Sequence, residues 1–157
     1  MLPRKILFCT DFSENSEPAR DLAVEYAKAF GSELLIIHVV DSSGFPNYAD
    51  WMMPKIGEEL NQLLLRMQEE ARSRMASLEE ACGKVVKDVK AYCRVGAAPN
   101  EIVGLANEAS VDLIVIGTHG RTGVKHLVMG SIARSVLRMA HRPVLIVEAL
   151  TGKGESS

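Results

Sequence analysis

Four glycines and a serine in one stretch carry the clearest chemistry in this chain: Gly117, Gly120, Gly123 and Gly130, followed at once by Ser131, in GTHGRTGVKHLVMGS. Glycine lets the backbone take positive φ and lets a ligand approach the main chain closely. Ser131 opens a helical pattern, and a helix N-terminus offers free N–H groups and the positive end of a dipole to an anion. The expected ligand is a phosphate. Charge agrees, because residues 117–142 hold Arg121, Lys125, Arg134, Arg138 and Arg142, three histidines and no Asp or Glu, a formal +5 that leaves −7 for the rest. Neither GxxxxGK[ST] nor a strict GxGxxG occurs, so the joint spacing carries the reading.

Other polar candidates divide by context. Asp11 follows the first apolar run and has two readings: it holds its own loop through side-chain to backbone hydrogen bonds, or it faces Gly117 across a ligand. His119 and His126 lie seven apart in a loop, which is no metal spacing, and His38 sits among apolar neighbours as a core histidine. His141 is expected to cap the last helix, and Arg134 and Arg138 share one solvent-facing helical side. No general base presents itself, since the glycine-rich segment has no carboxylate to position water. Residues 41–54 gather three of the eight aromatics and two methionines in a long loop, expected to be a lid, a docking surface or a segment tucked under the next helix.

The elements that must position these residues alternate. Lys5 to Cys9, Glu33 to Val40, Val89 to Val95, Asp112 to Ile116 and Pro143 to Val147 are short and mostly apolar, as in parallel strands covered on both faces. Between them, Glu17 to Phe30 repeats apolar residues at helical spacing, with Pro18 in the first turn and Gly31 as a stop. A long amphipathic pattern runs from Ile56 to Gly83, a third helix from Pro99 through Ala109, and a fourth from Ser131 to Ala140. Such a β-α alternation specifies an α/β fold, a parallel sheet sandwiched by helices. In sheets of this kind ligands bind beyond the carboxyl ends of the strands, where the strand order reverses.

Composition removes several classes. The 157 residues are 47% hydrophobic and 24% charged, with a formal charge of −2, which suits one domain over residues 1–150 and a disordered tail over 151–157. That balance supplies no field for a polyanion, and eight aromatics are too few for a base-stacking platform, so no nucleic-acid partner is expected. The apolar runs are far shorter than the roughly 20 residues of a membrane span, and no signal-peptide pattern opens the chain. Cys9, Cys82 and Cys93 are odd in number and widely spaced, so they read as buried reduced thiols with no metal role. A cytoplasmic location is expected.

The spacing Gly117-x2-Gly120-x9-Gly130-Ser131 resembles in full the ATP-binding signature of the universal stress protein family. Ile6-Leu7-Phe8-Cys9-Thr10-Asp11-Phe12-Ser13, the His38-Val39-Val40-Asp41 strand end and Arg142-Pro143-Val144-Leu145-Ile146-Val147 are similar to that family too. The resemblance spans about residues 3–148. It implies a Rossmann-like, open five-stranded parallel sheet in the order 3-2-1-4-5, with helices on both faces. It also implies that Thr10 and Asp11 contact the nucleoside, that the Val39 backbone meets the adenine edge and that Gly117 lies against the ribose. Gly120, Arg121, Gly130, Ser131, Ile132 and Ala133 would line the phosphates. Ala133 departs from relatives that carry a hydroxyl there, which bears on the choice among ATP, ADP and AMP. The implied protein is a stress-response regulator that holds an adenine nucleotide, with or without Mg²⁺, as a homodimer joined through edge strand Val144 to Val147. Two alternatives stay open: a slow ATPase or adenylyl-transferring enzyme, and a structural dimer that binds no nucleotide.

Overall fold

The structure is a computed structural model, and it describes residues 1–45, 54–118 and 129–149. Five strands, β1 (Lys5–Cys9), β2 (Glu33–Asp41), β3 (Val89–Gly96), β4 (Leu113–Gly117) and β5 (Val144–Val147), form one parallel sheet in the order β3-β2-β1-β4-β5. Among the described residues, four α-helices connect them: α1 (Glu17–Phe30), α2 (Pro54–Gly83), α3 (Ala98–Glu108) and α4 (Ser131–Met139). A 3-10 turn at Glu14–Ser16 leads into α1.

Alternate side chains of each strand serve opposite faces, which explains why the strands read as continuous apolar runs. Ile6, Phe8, Leu34, Ile36 and Val115 pack with Ala19 and Ala23 of α1 and Met75 of α2. On the other face, Leu7, Cys9, Leu35, Ile37, Ile114 and Ile116 pack with Ile102 and Ala106 of α3 and Ala133 and Val136 of α4. Burial of an aliphatic side chain contributes about 1.5–3 kcal/mol, so these two layers supply the main driving force.

Local signals close the elements where the sequence places them. Gly31 takes φ 66° and donates its N–H to Ala27 at the end of α1, a left-handed stop that glycine adopts without a Cβ clash. Past α4, His141 makes the same left-handed turn at φ 48°, so it ends the helix by its backbone conformation. Strand β4 begins one residue later than expected, because Asp112 is a clamp: its Oδ2 accepts from the N–H groups of Arg4 (2.8 Å) and Lys5 (2.9 Å).

The two sheet edges differ. On β3 the N–H of Ala91 donates to Glu79 of α2 at 2.9 Å, Lys90 pairs with Glu33 at 2.7 Å and Arg94 pairs with Glu108. A helix carboxylate and charged side chains blunt an edge against strand pairing. The β5 edge, Val-Leu-Ile-Val, has none of these devices in its sequence.

Candidate functional site

β1 lies between β2 and β4, so the chain leaves it toward opposite sides of the sheet and opens a crevice at the strand ends. A cavity of about 550 Å³ occupies that place, a size suited to a small-molecule ligand. Thr10, Asp11, Val39, Gly117, Gly130, Ser131, Ile132 and Ala133 all line it. Eight of the ten expected binding residues therefore come together, and the other two, Gly120 and Arg121, lie outside the described residues, as do His119, Lys125 and His126. Residues 46–53 of the aromatic segment and the tail 151–157 also lie outside them.

At the end of β1 the chain makes a tight, internally bonded turn. Thr10 Oγ1 accepts from the Phe12 N–H at 3.0 Å and lies 3.3 Å from the Ser16 hydroxyl, so its hydroxyl is engaged in shaping the turn. Asp11 Oδ1 accepts from the Ser13 N–H (2.9 Å) and hydroxyl (2.5 Å) while the residue lines the cavity. Both readings of Asp11 are thus geometrically compatible. Phe12 sits between them with φ 64°, a left-handed conformation that costs a bulky side chain on the order of 1 kcal/mol. His38 is buried as expected, donating from Nδ1 to the Thr10 carbonyl at 2.9 Å, and its ring stacks on Phe12 with centroids 4.2 Å apart.

β2 repeats the same device. Asp41 accepts from the Ser43 N–H and hydroxyl, and these hydrogen bonds, the hydroxyl first, hold its carboxyl below the ordinary value. At the floor, burial pushes the Cys9 thiol far up, which leaves it neutral and unreactive. Cys82 is buried as well, whereas Cys93, expected to be buried, is only partly so because it stands on the edge strand β3.

Across the crevice, Gly130 caps α4 with φ −57° and ψ 155°. Any residue adopts that conformation, so the positive φ expected of this glycine is not what it provides; its contribution is an absent side chain. The helical bonds begin with Arg134 N–H to Gly130 O at 3.1 Å, and the N–H groups of Ser131, Ile132 and Ala133 precede them in the first turn, where helices leave donors open. Ala133 is buried, and its methyl belongs to the core while the residue forms part of the cavity lining.

Among the described residues, the arginines of the basic segment do not act as a unit. Arg142 bonds the carbonyls of Ala106 (2.6 Å), Val111 (2.7 Å) and Ala140 (3.1 Å) and the Asn107 side chain, joining the ends of α3 and α4 away from the cavity. Arg138 stands in the last turn of α4, and Arg134 reaches the Met129 carbonyl at 3.3 Å. Within the site, Asp11 and Asp41 stand at the strand ends, and the first-turn N–H groups of α4 stand across from them.

The α2 wall was not anticipated as part of the site. Met67, Glu70, Ala71 and Arg74 line the cavity, and the Arg74 guanidinium lies 5.1 Å from the Phe12 ring centroid. The spacing 67-70/71-74 is one helical face, so the signal existed; it was absorbed into the amphipathic pattern. Among the described residues no group of His, Cys, Asp and Glu could hold a metal ion, and no helix is long and apolar enough to cross a membrane.

Comparison with known proteins adds four findings. The family model described as the universal stress protein family matches residues 3–148. Universal stress protein MJ0531 of Methanocaldococcus jannaschii is 36% identical over 152 residues, covering 94% of this chain and 83% of that protein. MJ0577 of the same organism is 31% identical, and its solved structure superposes with a TM-score of 0.79 over 96% of this chain and 99% of its own. A solved universal stress protein in complex with cAMP is 25% identical, with a TM-score of 0.61 over 94% of this chain and 98% of that one.

Proposed function

This chain belongs to the universal stress protein family, and from that premise we propose that it is a regulatory protein that binds ATP or a related adenine nucleotide in the crevice at the ends of β1, β2 and β4. One observation carries the reading: a single cavity runs from Asp11 and Val39 to the open N-terminus of α4, with the side-chain-free Gly130 between. The nucleoside belongs at the strand ends, where carboxylates accept hydrogen bonds from hydroxyl groups and the Val39 backbone meets the base. The phosphates belong at Gly130 to Ala133 and at Gly120 and Arg121, where N–H donors and a guanidinium suit an anion. Binding of cAMP by a related protein supports the ligand class.

Mg²⁺ in this reading arrives on the phosphates, which commonly supply much of its coordination. The protein forms a homodimer through β5, the edge without blocking charges. It lies in one domain over residues 1–150 and works in the cytoplasm. Mass spectrometry of any small molecule that survives purification, followed by competition among ATP, ADP and AMP, tests the proposal: an adenine nucleotide is expected, and a preparation that neither retains nor takes up one contradicts it.

A further inference from the structure

Phe12 holds an improbable backbone conformation in the turn that follows β1 and lines the cavity. Its φ of 64° places a bulky residue where glycine is the natural occupant, directly between Asp11 and Ser13, whose hydrogen bonds close the turn. Such outliers persist only where the surroundings over-determine them. Here three contacts do so: the Phe12 N–H donates to Thr10 Oγ1 at 3.0 Å, the ring packs on His38 at 4.2 Å, and Arg74 lies over the ring at 5.1 Å. His38 is itself fixed by its bond to the Thr10 carbonyl, and Arg74 belongs to α2, so one strand and one helix meet on this ring.

We propose that Phe12 is a positioning residue for nucleotide binding: its ring, held by His38 and Arg74, fixes the turn that presents Asp11 to the nucleoside, and so couples α2 to the site. The inference rests on the reading of Asp11 as a nucleoside contact. A ring that merely filled space would be replaceable by any apolar group, and a residue needed only for its φ would be replaceable by glycine. The arrangement here requires the aromatic face. Cation–π and ring-stacking contacts need that face and are lost with it.

Glycine is therefore the informative substitution, since it accepts φ 64° without strain yet removes the ring. ATP binding is measured by calorimetry for the wild type, Phe12→Gly, Phe12→Tyr, Asp11→Ala and the Asp11→Ala/Phe12→Gly double variant, with melting temperature as a check on folding. Expected are about tenfold weaker binding for Phe12→Gly, near wild-type binding for Phe12→Tyr, and no further loss when Phe12→Gly is added to Asp11→Ala, because Phe12 acts through Asp11. Wild-type affinity in Phe12→Gly, or losses that multiply in the double variant, overturns the inference. Wild-type affinity in Asp11→Ala overturns the reading of Asp11 beneath it. Should Phe12→Gly fail to fold, Arg74→Met at an exposed helix position takes its place, with about threefold weaker binding expected alone and none added to Asp11→Ala; additivity there overturns the inference equally.

Discussion

The Gly130 N–H donates to the Thr118 carbonyl at 2.6 Å, joining the residue that caps α4 to the one that follows β4. This bond sets the N-terminus of α4 beside the end of β4, so the first-turn N–H groups of the helix are positioned by backbone alone. Valine retains that N–H and accepts φ −57°, ψ 155°. Gly130→Val is therefore expected to change stability by less than about 0.5 kcal/mol. In the proposed binding mode its isopropyl group stands against the phosphates, and ATP affinity should fall at least about 100-fold, or about 2.7 kcal/mol. Calorimetry and thermal melting check both halves; unchanged affinity removes Gly130 from the site.

Arg142 belongs to the fold and not to the site. Its guanidinium satisfies three backbone carbonyls at the ends of α3 and α4. Hydrogen bonds to charged groups are worth roughly 1.5–3 kcal/mol, so Arg142→Ala should destabilise by about 2–3 kcal/mol in urea unfolding. Nucleotide affinity of the folded variant should stay within about twofold, and a selective loss of affinity would return this arginine to the site.

The Asp41 carboxyl has a folded-state pKa below its unfolded one, because the Ser43 hydroxyl and N–H stabilise the charged form. Its contribution to stability is thus present above the unfolded pKa and is lost as pH falls through the lowered folded value, a window below about pH 4. Removing the hydroxyl with Ser43→Ala should move the Asp41 titration upward, as read by carboxyl carbon NMR shifts. A midpoint that stays put contradicts the assigned cause.

Edge chemistry predicts which strand pairs between protomers. Ile114 N–H bonds the Pro143 carbonyl and Thr118 N–H the Val147 carbonyl, and parallel alternation then turns the N–H of Val144 and Ile146 outward. Ile146→Pro removes one outward donor and leaves the bonds to β4 in place. In sedimentation at micromolar concentration the wild type should run as a dimer and the variant as a monomer; a monomeric wild type overturns the assignment.

Most of the fold was legible because its cues are local. Apolar runs such as ELLIIHVV, and stops such as Gly31, fix elements through short-range sterics and periodicity. The strand order and the family came from the long glycine spacing and the strand-end motifs. What stayed hidden was tertiary: that Arg142 turns to the far end of α4, that Phe12 adopts a left-handed φ, and that Arg74 reaches the cavity. Each of these depends on a packing partner distant in sequence, and net segment charge in particular says nothing about which end of a helix a guanidinium serves.

The crevice between Asp11 and Gly130 is proposed to bind an adenine nucleotide. Titration of ATP into the nucleotide-free wild-type chain by calorimetry tests it most directly. Saturable binding of one nucleotide per chain, lost in Gly130→Val, is the predicted result; no saturable binding of ATP, ADP or AMP up to millimolar concentration would contradict it.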